Sequence, residues 1–214
     1  AWQGKLYFVS DDGHLYCVKA ESGELAWKFR AGPSDHRLLG NERIINFWAA
    51  RGGPVIKNGT VYFAAGIWPL HGIFIYALDA DSGAVEWVND TTSSDYVKLP
   101  HGGASGYGGL APQGYLAASE DRLVVAGGRT PPAVLDRQTG EVEEYSFRAK
   151  PEGGYAVHAG EDDPDDCIGK MENEMLKNRV DALSGRIDGT VFEKLAARDR
   201  LFVTTKDGTL YCFG

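Results

Sequence analysis

Carboxylates, imidazoles and thiols are the side chains here that could do chemistry. Two carboxylate groups stand close in sequence: Asp79-Ala-Asp81-Ser-Gly83, and the run Glu161-Asp-Asp-Pro-Asp-Asp166. The first resembles the opening of a calcium loop, because oxygen donors ahead of a glycine suit a hard cation. It lacks the distal bidentate Glu such a loop requires. The simpler expectation is that Asp79 and Asp81 accept hydrogen bonds from turn amides. The second run reads as a solvated loop before a helix, or as a cation site. The histidines are His14, His36, His71, His101 and His158, and none forms an H-x-x-x-H pair. No metal site follows from that spacing. Trp68, His71, His101, Tyr107, Tyr155 and His158 lie in long connections. They are the candidate ligand-binding residues, since loops carry most binding contacts. No catalytic residue can be assigned.

The three cysteines, Cys17, Cys167 and Cys212, form no C-x-x-C, which excludes c-type haem attachment and a zinc ribbon. Cys17 and Cys212 are expected to be buried small hydrophobes. Cys167 sits among acidic residues, which disfavour a thiolate. The stretch HGGASGYGGLAPQGY, residues 101–115, lets backbone approach a neighbour, the adjoining sheet or a ligand. It is no phosphate loop, because no Gly-Lys-Ser/Thr follows.

The elements that position these residues follow from composition and repetition. The chain has 214 residues, 28 of them glycine, 11% aromatic residues and a formal charge of −8. One turn-rich β domain over residues 1–214 fits those values. The negative charge disfavours nucleic acid as a partner. No apolar run reaches the roughly 20 residues of a membrane span, and no signal peptide is visible.

An internal repeat is the strongest pattern. LYCVKAESGELAW (15–27) matches IYALDADSGAVEW (75–87) position for position. AVLDRQTGEVEEY (133–145) keeps the turn but has Glu144 in place of Trp, and LYCFG begins a fourth copy at Leu210. The anchoring small residues Cys17, Ala77, Val134 and Cys212 are separated by 60, 57 and 78 residues. Each copy follows an apolar strand introduced by a polar turn: QGKLYFVS, NGTVYFAA, EDRLVVAG and RDRLFVTT. Where the chain permits, a further strand precedes it, at GPVIK, GYLAAS and TVFEKLA. Four antiparallel strands repeated in this way make propeller blades. Blades are expected near 1–31, 52–91, 111–148 and 189–214, the first and last incomplete. An insertion covers 149–188, with a short helix near 171–184. Gly23, Gly83 and Gly140 are expected at positive φ, and Trp27 and Trp87 between adjacent blades.

These residues resemble the tryptophan-docking motif of pyrroloquinoline-quinone (PQQ) type propellers, Ala-x-Asp-x-x-Thr-Gly-x-x-x-Trp. Ala77, Asp79, Ser82, Gly83 and Trp87 fit it with Ser for Thr. Cys17, Gly23 and Trp27 fit it with Lys19 in the Asp place, and the third copy keeps Asp136, Thr139 and Gly140. The resemblance leaves residues 151–186 unexplained. Similar propellers include quinoprotein alcohol dehydrogenases, the outer-membrane assembly lipoprotein of Gram-negative bacteria and exported planctomycete-type proteins. It implies a periplasmic location. It also implies that association with a protein partner, a further propeller segment or a second copy completes the ring. The dehydrogenases' quinone site needs an adjacent Cys pair, absent here, and calcium held by Glu, Asn and Asp. The expected function is therefore a non-catalytic binding or scaffolding module without cofactor. The alternative is a portion of a PQQ- and calcium-dependent dehydrogenase of alcohols or sugars.

Overall fold

More and less buried residues alternate along Lys5–Val9 (β1), and the same period runs through His14–Lys19 (β2) and most of Leu25–Arg30 (β3). Alternation of this kind turns one face of a strand to the core and the other away from it. The computed structural model of the chain describes residues 1–40, 42–98, 103–127, 130–146, 177–197 and 200–214. They form two compact units, residues 1–168 and 169–214.

In the first unit β1–β3 pair antiparallel as sheet 1. Arg37–Gly40 (β4) and Arg43–Asn46 (β5) form a separate hairpin. Ala50–Lys57 (β6), Thr60–Ala65 (β7), Phe74–Asp79 (β8) and Val85–Asn89 (β9) form sheet 2. Asp95–Lys98 (β10) and Ser105–Gly108 (β11) form a second hairpin. Leu116–Ala118 (β12), Arg122–Gly127 (β13), Thr130–Asp136 (β14) and Val142–Glu144 (β15) form sheet 3. The second unit holds sheet 4, made of Val191–Ala197 (β16), Arg200–Thr205 (β17) and Leu210–Phe213 (β18). Strand order follows chain order in every sheet, and all pairings are antiparallel. The first and last sheets have three strands and the middle two have four, as the incomplete end repeats imply. The helical pattern near 171–184 is realised as a helix over residues 177–182 and a 3-10 turn Ser184–Arg186. The earlier part of that pattern lies outside the described residues.

The repeat extends to individual hydrogen bonds. Gly23, Gly83 and Gly140 have φ of 71°, 73° and 76°, and each donates its amide to the residue four back, at 2.8 Å. The ladder slips after Cys17, Ala77 and Val134, so that Cys17 faces Trp27, Ala77 faces Trp87 and Val134 faces Glu144. A residue opposite an indole must be small. Val134 is tolerated in the third copy because Glu144 points no ring across it.

The central strands of sheet 2, β7 and β8, are buried on both faces. Tyr7, Leu15 and Cys17 of sheet 1 pack on Val61, Phe63, Tyr76 and Leu78. Tyr62, Ala64, Ile75 and Ala77 turn the other way, onto Leu123, Val125, Ala133 and Leu135 of sheet 3. Two stacked faces bury what one small sheet would leave wet. In the second unit Leu201, Val203 and Phe213 are covered by Val180, Leu183 and Ile187 from the helix and its 3-10 turn.

The indoles lie at the seams. Trp27 Nε1 donates to the Ala80 carbonyl at 3.2 Å, and Trp87 Nε1 donates to the Arg137 carbonyl at 3.1 Å. Gly83 and Gly140 lie directly beneath these rings. A Cβ on Gly83 would sit 2.8 Å from Trp27 Cδ2, and one on Gly140 would sit 2.5 Å from Trp87 Cε3.

Two expectations need correction. Asp79 does accept from the Ser82 amide at 2.8 Å, but Asp81 instead meets Lys5 Nζ at 2.6 Å, across the seam. An ammonium from the adjoining sheet lies within its reach, so it is drawn outward from the turn. Cys17 is fully buried, whereas Cys212 is exposed. Sheet 2 covers the face that carries Cys17. In sheet 4 the helix covers the opposite face, that of Phe213.

Asp79, Asp136 and Asp207 cap turns, and bonds from Ser82, Thr139 and Thr205 respectively hold their carboxyls below the ordinary carboxylate range. A carboxyl whose folded pKa is depressed stabilises the fold above its unfolded pKa. That contribution is lost as pH falls through the folded value. Stability is therefore expected to decline below about pH 4. In urea titrations from pH 6 to pH 2, Asp79→Asn with Asp136→Asn should flatten that decline.

Candidate functional site

In a four-stranded antiparallel sheet, the link between the second and third strands emerges at the same end as the link leaving the fourth. That end of sheet 2 carries the long connections. The β7–β8 link holds the 3-10 turn Pro69–His71, and the β9–β12 link holds β10 and β11. The two meet, with β11 against the turn and Ser94 Oγ donating to the Pro69 carbonyl at 2.9 Å. The corresponding link from sheet 1 holds β4 and β5 and ends in Phe47 and Trp48. Trp48 Nε1 donates to the His71 carbonyl at 2.7 Å. The Phe47 ring lies 4.3 Å from that of His71 and 5.3 Å from that of His36.

Buried polar groups hold these loops. Asn46, 2% exposed, accepts the Trp48 amide through Oδ1 at 2.8 Å. Ser93 Oγ accepts the Ile73 amide at 3.0 Å. Asn89 donates to the Gly140 carbonyl at 2.7 Å and accepts from Thr92 at 2.7 Å. Large apolar and aromatic side chains are exposed on this framework. Trp68 is 61% exposed, Tyr107 is 57% exposed, and Leu39, Ile44, Leu70 and Tyr96 are exposed as well. Tyr96 and Tyr107 face each other across β10–β11, ring centroids 5.4 Å apart.

Of the sequence candidates, Trp68, His71 and Tyr107 therefore share one end of the sheets. His101, Tyr155 and His158 lie outside the described residues, as do the acidic run 161–166 and Cys167. The glycine-rich stretch makes its close approach to the adjoining sheet: a Cβ on Gly52 would lie 2.0 Å from the Gly114 carbonyl oxygen. Leu39, Ile44, Leu70 and Tyr96 escaped the sequence reading. The available signal was the Asn-Glu pair between the apolar runs Leu38-Leu39 and Ile44-Ile45, which reads as a hairpin.

Arg137 also escaped it. It stands where the first two repeats have Ala20 and Ala80, and it is 8% exposed. Its guanidinium donates to the Tyr62 hydroxyl at 2.8 Å and to the Glu120 carbonyl at 2.7 Å. Arg137→Ala should cost about 2 kcal/mol in urea unfolding, since it strips a donor from the buried Tyr62 hydroxyl and from the Glu120 carbonyl. Arg137→Lys should recover only part of that, because an ammonium cannot span both bonds.

The surface offers rings, imidazoles and backbone carbonyls. Calcium wants six to eight oxygens. Among the described residues no three His, Cys, Asp or Glu side chains gather as a metal site.

A sequence profile of PQQ-type repeats, described as the outer membrane protein assembly factor BamB, matches residues 2–168. The chain belongs to this PQQ-repeat family. The PQQ-repeat chain is also 34% identical over 90 residues to the dehydrogenase subunit of a quinone alcohol dehydrogenase from Gluconacetobacter polyoxogenes. That match takes in 40% of the chain and 11% of the relative. The corresponding subunit of Gluconobacter oxydans is 33% identical over 108 residues, 49% of the chain and 13% of the relative. The chain thus spans only a small part of the curated relatives it matches. Among solved structures, BamB from Moraxella catarrhalis superposes with a TM-score of 0.51 at 12% identity, over 99% of this chain and 56% of that one. The quinohemoprotein alcohol dehydrogenase ADHIIG from Pseudomonas putida HK5 gives 0.50 at 16% identity, over 99% and 31%. At such identities these likenesses show the shared fold. No helix among the described residues is long and apolar enough to cross a membrane.

Proposed function

We propose that this PQQ-repeat chain is a non-catalytic, extracytoplasmic binding module that holds a protein partner against the loop end of its sheets. The exposed side chains of Trp68, Leu70, Tyr96 and Tyr107 carry this reading. Rigid aromatic side chains in water mark protein interfaces, because they bury much area at little entropic cost. The support beneath them is built from buried hydrogen bonds, so the surface is pre-shaped and little ordering is lost on binding. The family's description as an outer membrane protein assembly factor agrees with a protein-binding role.

A photoreactive phenylalanine analogue at position 68 or 107, in source cells, should give the same discrete protein adduct. At the exposed strand position Lys28 it should not. Adducts equal at all three positions would contradict the assignment. The identity to dehydrogenase subunits favours a second reading, a portion of an alcohol-oxidising quinoprotein. Alcohol-dependent dye reduction on adding PQQ and Ca²⁺ to the purified chain would establish that reading and overturn the first.

A further inference from the structure

The hairpin turn between β6 and β7 is Asn58-Gly59. Both residues have positive φ, 52° and 85°, as a two-residue turn of this kind requires. Asn58 is exposed, and its side chain crosses the seam to sheet 3, where Nδ2 donates to Glu120 Oε2 at 3.0 Å. Glu120 stands in the turn between β12 and β13. Its other carboxylate oxygen meets Lys57 Nζ at 2.9 Å, and its carbonyl accepts from Arg137. Bonds from Lys57 and then Asn58 hold the Glu120 carboxyl below the ordinary carboxylate range. The Gly59 carbonyl is held too, by the Ala80 amide at 2.8 Å.

An asparagine followed by glycine is chemically labile, because no side chain shields the next amide nitrogen. The Gly59 nitrogen attacks Asn58 Cγ, the new C–N bond closes a five-membered succinimide, and Nδ2 leaves as ammonia with the proton that nitrogen sheds. Water then opens the ring at one carbonyl to give aspartate, or at the other to give isoaspartate. In sum, amide and water become carboxylic acid and ammonia. The ring closes only when the Asn58 side chain folds back onto its own main chain, and the bond to Glu120 opposes that. Among the described residues, the other asparagines are poorer sites. Asn46 and Asn89 are 2% and 9% exposed and precede Phe47 and Asp90. Asn178 lies in a helix and precedes Arg179. The matching turn of sheet 1 is Gln3-Gly4, with φ of 45° and 72°. Its longer side chain has to close a six-membered ring, a much slower step.

We propose that Asn58 is a deamidation site guarded by Glu120. While the two turns are joined, the amide is held off the Gly59 nitrogen. When they part, the amide is hydrolysed, and the product cannot rejoin them. A carboxylate only accepts hydrogen bonds, so at position 58 it faces Glu120 as acceptor against acceptor and charge against charge. Isoaspartate also adds one carbon to the main chain of a turn whose length sets the register of β7. The modification thus makes local openings of this seam permanent. The turn lies at the opposite end of sheet 2 from Trp68 and Tyr107, so this proposal and the binding role can fail separately.

The test incubates the full chain in warm, mildly alkaline buffer and follows each asparagine by peptide mapping and mass spectrometry. Acid should appear at position 58 several-fold faster than at 46, 89 or 178, as both isomers, and more slowly than in a free peptide of residues 55–61. Glu120→Ala should raise the rate at 58 several-fold, toward that of the peptide, and leave those at 46 and 89 unchanged. Acid appearing no faster at 58 than at the other positions overturns the proposal. An equal rate in the chain and in Glu120→Ala removes the guard and overturns it as stated. So does a rise at 46 and 89 in step with 58, because general unfolding is then the cause. The product is read in Asn58→Asp, where the Glu120 carboxyl, followed by NMR titration, should rise from its depressed value. An unchanged Glu120 titration shows that the turns rejoin, which contradicts a permanent opening.

Discussion

Trp87→Ala is expected to lower the unfolding free energy of the first unit by about 3–5 kcal/mol. The ring packs in the cluster between sheets 2 and 3, lies on Gly140 and sits 5.9 Å from the Tyr62 ring. Truncation removes apolar contact, leaves a void that two stacked sheets cannot close and strips the Arg137 carbonyl of its indole donor. A fall of about 10 °C in Tm follows for a unit of this size. Trp87→Phe should recover part of the packing and none of the hydrogen bond. Thermal melts followed by near-ultraviolet dichroism read both variants, and a change in Tm under about 3 °C for Trp87→Ala would place the ring outside the seam.

Gly140→Val should be nearly as damaging, at about 3 kcal/mol. Part of the cost is conformational, because a β-branched residue at φ 76° pays roughly 1–2 kcal/mol. The remainder is steric: a Cβ at 2.5 Å from Trp87 Cε3 forces the indole off its seat. Gly23→Val isolates the first part. It has the same turn and nearly the same φ, but nothing lies within 4 Å of its Cβ position. Urea midpoints of the two variants should therefore differ by the steric share, about 1–2 kcal/mol. Equal losses would show that the glycine is kept for its backbone alone.

The repeat was legible in sequence because its copies between them encode three separate requirements. A positive-φ turn needs Gly23, Gly83 or Gly140, an indole needs a small partner across the ladder, and a central strand needs apolar residues on both faces. Those demands coincide only in a stack of sheets, so sheet number and the incomplete end sheets could be read ahead of the structure. The loop end was less legible. Leu39 pairs with Ile44 and Tyr96 with Tyr107 in two-stranded hairpins that have no third strand, and such short pairings leave no period to recognise. Arg137 was hidden for another reason. A long cation where two repeats have alanine looks like a surface substitution until Tyr62 and Glu120 are seen to receive it. The same holds for Cys212, which shares its motif position with Cys17. Which face of a blade is covered depends on its neighbour, and in the second unit that neighbour is a helix.

A double-mutant cycle between positions 87 and 140 bears most directly on the stacking of indole on turn glycine. Unfolding free energies are measured for the chain, Trp87→Ala, Gly140→Ala and the double variant. If the ring rests on that glycine, the methyl group harms the fold chiefly while the ring is present. The double variant should then be more stable than the sum of the single losses requires, by about 1–2 kcal/mol. Strict additivity, within about 0.3 kcal/mol, would contradict contact between the two residues and with it the seam on which the blades are joined.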